Sequence, residues 1–224
     1  MLGMSRVRIG LIVLGLLSLW GCSKSPPTFI SKPEPWRNDE ESQCLASGRV
    51  RHSPFLVPRT SLGGPGHCGA QQPFEMSAAL NGQVLMRPTA LLRCPMIPAV
   101  EHWVTRHVAA AARQHFGVPV VEMKVAASYG CRPMNGISGA KLSEHGHANA
   151  LDISAFILAD GRQITVKQGW HGDPRERAFL RQVHFGACNT FTTVLGPNAD
   201  RFHHDHFHMD LARHGRNGDI RICK

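Results

Sequence analysis

An α+β fold, with a small and mostly antiparallel sheet flanked by helices and stapled by disulfides, is what this 224-residue chain predicts. Three observations lead there. Short apolar runs of strand character recur between residues 120 and 211, and two of them are joined by the turn pair Asp160-Gly161. Two stretches of helical spacing accompany them, one just before the first run and one among the later ones. Finally, the seven cysteines become an even six once the first is set apart, and no CxxC pair occurs. With 42% apolar residues the chain is not disordered, and its length suits one domain with a sizeable core.

The elements follow in chain order. Residues 1–22 start basic, with Arg6 and Arg8, and run apolar from Ile9 to Trp20. That run is short and soon interrupted, so it reads as the core of a signal peptide rather than a membrane span. Its end, Leu19-Trp20-Gly21-Cys22, is similar to a bacterial lipobox. In such signals cleavage precedes the cysteine, which carries the lipid, so 1–21 are expected to be removed and Cys22 to be acylated. Ser23 rather than Asp follows Cys22, which favours an outer-membrane address for a periplasmic lipoprotein. Residues 22–40 then hold the lipid cysteine and a Pro- and Ser-rich stretch that reads as an extended tether, ahead of a domain over 41–224.

Within that domain, residues 40–100 suggest loops and short strands, with a turn at Gly63-Gly64-Pro65-Gly66. A helix is predicted from Pro98, with Val100, Trp103, Val104, Val108 and Ala111 on its apolar side, ending at Gly117. Strands are expected at Val120–Ser128 and Leu151–Leu158, the latter in a hairpin with Gln163–Val166. A second helix is expected at Arg175–Phe185, followed by strands at Phe191–Leu195 and Asp205–Leu211. In an exported protein Cys44, Cys68, Cys94, Cys131, Cys188 and Cys223 are expected to form up to three disulfides, in any of 15 pairings.

The chemistry concentrates in histidine. Six of 14 histidines fall in two short segments, Ser143–Asp152 and His203–Asp210. Imidazole and carboxylate are the donors zinc takes where one coordination position stays open for chemistry. On a strand His204, His206 and His208 would share a face, with Asp205 on the other. The net charge of +9 comes from scattered basic residues with few aromatics, which argues against nucleic acid as a partner. In an envelope the acidic partners are peptidoglycan carboxylates and anionic lipid.

The segment SEHGHANALD resembles the S-x-H-x-x-G-x-A-x-D signature of zinc peptidases of the D-Ala-D-Ala carboxypeptidase/dipeptidase type, which act on peptidoglycan, and HDHFH is similar to their closing H-x-H. SYGCR is similar to their S-G-Y-R element. More of the chain, about 44–224, resembles the bacterial extensin-like C-terminal domain family through YxCRxMNG, FLRxVHxGAC, TVLGP and HxDHFHxD. The resemblance implies Zn2+ held by His145, Asp152 and His208, with His206 or Asp205 as base. It also implies that Arg132 receives a peptide carboxylate, with His203 close by. Ala148 stands where the signature has glycine, which implies a backbone needing less freedom there; His147 is extra and reads as a solvated loop residue. The function implied is a zinc-dependent hydrolase of peptide bonds in peptidoglycan stem peptides or crosslinks. The alternative is a non-catalytic wall- or metal-binding lipoprotein with the same fold.

Overall fold

A computed structural model describes residues 28–224, so the signal segment and Cys22 lie outside the described residues. Its strands in chain order are β1 (Leu56–Pro58), β2 (Leu62–Gly63), β3 (Gly69–Ala70), β4 (Phe74–Ala79), β5 (Val84–Leu92), β6 (Val120–Ala127), β7 (Ala150–Leu158), β8 (Gln163–Thr165), β9 (Thr193–Leu195), β10 (Phe207–Asp210) and β11 (Ile222–Cys223). The helices are α1 (Pro35–Ala46), α2 (Met96–Trp103, continued through a π turn at Val104–Val108 into Ala109–Phe116), α3 (Val166–Gly169) and α4 (Pro174–Thr190).

Nine strands form one sheet in the order β1-β4-β5-β6-β7-β10-β9-β11, with β8 beside β10 on the same edge of β7. The pairs β5–β6 and β9–β11 are parallel and the others antiparallel. The fold is therefore α+β with a mixed, mostly antiparallel sheet. β2 and β3 make a separate ribbon.

Alternation along two central strands decides what each face of the sheet carries. Leu151 and Ile153 of β7 and Phe207 and Met209 of β10 enter the hydrophobic core, so Asp152, His208 and Asp210 point the other way. Within the core, the Trp103 ring of α2 meets Phe156 and Phe191 edge-on at 6.2 and 6.3 Å, and Phe156 meets Phe179 of α4 at 5.3 Å. The one polar atom of Trp103, its indole N–H, donates to the Val183 carbonyl at 3.0 Å, so a large ring is buried without an unpaired donor. α4 starts where Asp173 accepts from the Arg175 and Glu176 N–H groups at 2.8 and 3.1 Å, with Pro174 in the first turn. It runs to Thr190, five residues beyond the spacing signal, and Cys188 near its end is bonded to Cys223 of β11.

All six remaining cysteines are paired: Cys44–Cys94, Cys68–Cys131 and Cys188–Cys223. The first pins α1 to the end of β5. The second pins the ribbon of β2 and β3 to the loop before the Glu144–His147 turn.

Three expectations need correction. The stretch 28–39 reads by composition as tether, yet it folds. The Gly139 N–H donates to the Thr28 carbonyl, Ile30 N–H to Ala140 and Leu142 N–H to Ile30, all at 2.8–2.9 Å, and α1 begins at Pro35. Proline at a helix start removes only an N–H that has no partner there, so the Pro-rich look was compatible with a helix. The strand expected at Asp205–Leu211 is only Phe207–Asp210, and His204 and His206 precede it in a turn. Ala148 adopts φ 51° and ψ 28°, the left-handed conformation, so the backbone keeps the geometry that glycine suits.

At Ala148 two terms oppose each other. Glycine relieves the left-handed backbone, but a buried methyl is lost. At Ala150, also buried but in a strand, both terms act against glycine. Denaturant unfolding of the oxidised protein should place Ala148→Gly within about 0.5 kcal/mol of wild type and Ala150→Gly about 1.5 kcal/mol below it.

Candidate metal centre

The antiparallel register sets Asp152 of β7 directly opposite His208 of β10. The His208 Nδ1 lies 2.8 Å from Asp152 Oδ1, and its Nε2 lies 2.9 Å from Asp210 Oδ2. Asp210 is itself held, because its Oδ1 accepts from the Ala212 N–H at 2.9 Å. The third member arrives on a tight turn, Glu144–His147, which Ser143 caps by accepting from the His145 N–H. His145 Nδ1 donates to the Ser128 carbonyl, which leaves Nε2 facing Asp152 Oδ2 at 3.1 Å.

The result is a convergent donor set. One atom from each of His145, Asp152 and His208 lies within 4.8 Å of the others, and all three residues are buried. The far nitrogen of each imidazole is fixed by an acceptor, Ser128 C=O or Asp210, so the near nitrogen is aimed inward. Two nitrogens and one carboxylate can hold a divalent metal and leave a fourth position open.

Electrostatics describe the same centre. Burial would raise the Asp152 carboxyl, but hydrogen bonds and charge from His145 and His208 hold it far below the usual carboxylate range. Burial would lower His208, but Asp152 and Asp210 on either side raise it to about 10. A proton on His208 thus balances two buried carboxylates where a cation could sit.

Two further histidines face this centre. His203 is buried, its Nδ1 lies 2.7 Å from Asp200 Oδ1, and its ring stands 5.6 Å from that of His208. Desolvation lowers its pKa despite Asp200, so it is neutral and its Nε2 is an acceptor. His206 Nδ1 lies 2.9 Å from Asp205 Oδ1, and its Nε2 is 3.7 Å from Asp152 Oδ2. Asp205 stands behind His206, half exposed, and lines a shallow depression with Lys124 and Lys167 instead of the centre. His206 therefore reaches the centre through a turn, not through the strand alternation that its sequence position suggests.

These groups sit in a cleft of about 700 Å³. Arg132 lines it, its loop set by Cys68–Cys131 and by the Ser143 N–H donating to the Arg132 carbonyl at 3.1 Å. His147 lines it too and is buried, contrary to its reading as a solvated residue; burial and the Arg37 and Arg93 charges drive its pKa down to about 3 and keep it neutral. Sequence reasoning missed Arg37, Glu144 and Asp200. Asp200 has a signal in hindsight, a carboxylate three residues before His203. Arg37 donates to both oxygens of Glu144 at 2.7 and 2.6 Å across 107 residues, and nothing local marks that pair. A second cluster, His184 with Cys188 and Cys223, offers no thiolate because its cysteines are joined to each other.

No curated protein and no solved structure matches this chain. The family described as extensin-like protein C-terminus matches residues 42–224, which takes in all three convergent donors, His203, His206 and every paired cysteine. Since that match spans most of the sequence, the chain belongs to the extensin-like protein C-terminus family.

Proposed function

We propose that the protein is a zinc-dependent hydrolase that cleaves peptide bonds in peptidoglycan stem peptides or crosslinks, working in the periplasm from a lipid anchor at Cys22. The observation that carries this reading is the orientation of the two imidazoles. Each is locked from behind, so that Nε2 of His145, Nδ1 of His208 and the Asp152 carboxylate converge on one point of an open cleft. Structural side chains rarely need such aiming, whereas metal-binding histidines do. The export-type N-terminus and three disulfides support an envelope location.

Zinc bound to His145, Asp152 and His208 supplies Lewis acidity for a scissile carbonyl and for an attacking water. The chain's own residues do the rest. His206 presents Nε2 beside the centre while Asp205 holds its Nδ1–H, so it takes the proton from water and returns it to the leaving amine. Asp205 is thus a positioning residue behind His206, not the base itself. His203, neutral and braced by Asp200, accepts a hydrogen bond from a substrate N–H. Arg132 at the cleft wall receives a substrate carboxylate.

The protein should bind one Zn2+ per chain, measured by metal analysis and competition with a chelator. Asp152→Ala should weaken binding by on the order of a hundredfold or more, and Asp210→Asn by roughly ten- to hundredfold, since it acts through His208. Metal-free protein that takes up no zinc would end this reading.

Protons give an independent check. His208 is raised from 6.5 to about 10, so its contribution to stability is full below pH 6.5 and is lost as pH climbs through 10. Asp152 is lowered from 3.8, so its contribution is present above that pH and is lost only in stronger acid. The melting temperature of the metal-free protein should therefore fall between pH 7 and 10. Zinc uptake at pH 7.5 should release about one proton, read as a buffer-dependent enthalpy in titration calorimetry.

For turnover, His206→Ala with zinc retained should lower kcat by about 10²–10⁴ on muropeptides analysed by mass spectrometry, and Asp205→Ala by about tenfold. Zinc binding with an unchanged muropeptide profile would leave the non-catalytic alternative standing.

A further inference from the structure

The cleft is not built by the family region alone. Ile30, Ser31, Lys32, Glu34 and Arg37 line it, and all of them precede residue 42, where the family match begins. This arm is fixed along its length. Thr28 and Ile30 pair with the 138–142 segment, Ser31 Oγ lies 2.9 Å from His67 Nδ1, and Arg37 grips the Glu144 carboxylate one residue before His145.

The charges on this side sort in one direction. The carboxylates of Glu34 and Glu144 are both engaged by Arg37. Lys32, Lys141 and Arg132 line the same cleft and make no ion pair among the described residues. The arm also sets two of them on adjacent segments of that wall, because Ile30 bridges to Lys141 and Lys32 follows two residues on. Unopposed cations along a partly enclosed wall form a receptor for anionic groups, and three of them exceed what one substrate carboxylate needs. Ile30 and Met134, both exposed, give the same wall apolar surface for the aliphatic part of a peptide.

We infer that the arm is a specificity-determining wall of the cleft, where Lys32 with Lys141 receives a second substrate carboxylate, distinct from the one Arg132 takes. The substrate class is then an acidic peptide with at least two free carboxylates. The inference rests on the hydrolase reading above and deepens it.

The test uses the full zinc-loaded chain and a pair of stem-type peptides that differ only in one side-chain carboxylate, free in one and amidated in the other. Wild type should favour the free acid by about tenfold in kcat/KM, mainly through KM. In Lys32→Ala/Lys141→Ala that ratio should collapse toward one, and Lys32→Arg/Lys141→Arg should restore it. An equal ratio in wild type and the alanine variant would overturn the inference. If wild type cleaves neither peptide, the hydrolase reading has failed separately. Fluorescence anisotropy of the two labelled peptides then decides the inference, by whether tighter binding of the acid is lost in the alanine variant.

Discussion

One buried carboxylate holds the centre of this molecule together. Asp152 has a histidine on each side, at 3.1 Å and 2.8 Å, in a setting that desolvation alone would make hostile to its charge. Neighbours compensate: a cation or a shared proton must stay close, and every imidazole nearby must have its second nitrogen accounted for. The rest of the fold can be read as the means to that end. The register of β7 and β10 sets Asp152 against His208, and the helices α2 and α4 bury the opposite face so that the register cannot slip. A one-residue slip would send Asp152 into an aromatic core.

A second set of buried charges props the third corner. Arg37 and Glu144 meet in a paired contact, Asn149 donates to the same carboxylate at 2.6 Å, and Arg93 sits with Glu41 nearby at 3.4 Å. Buried ion pairs of this kind contribute little net stability, because desolvation offsets most of the attraction. What they do well is fix position. Here they fix the turn that carries His145, and the disulfide Cys44–Cys94 holds the helix that bears Arg37 and Glu41 in place.

How much of this was legible in the sequence depends on range. The hairpin at Asp160-Gly161 and the helix ended by Gly117 are local, and local pattern carries them. The three convergent donors come from spacing within two short segments, and the resemblance marks them. Other features depend on contacts that no window of sequence contains. The pairing of six cysteines was open among 15 possibilities, and Arg37 with Glu144 joins residues 107 apart. His206 shows a subtler failure. Alternation was the wrong argument for it, since the strand starts one residue later, yet the turn delivers its ring to the same centre. The arm was misread because Pro, Ser and Lys describe a solvated linker equally well as a strand edge followed by a proline-started helix.

That arm changes the geometry of anchoring. Thr28, the first of the described residues, is already tied to the domain, its carbonyl accepting from the Gly139 N–H. Only six peptide units separate it from Cys22, and fully extended they reach about 21 Å. A lipid on Cys22 would thus moor the cleft on a short leash, within a few nanometres of the bilayer. Under the proposed anchoring, the volume that the molecule sweeps would be a shallow hemisphere, and any polymer it engaged would have to come to that membrane-proximal layer.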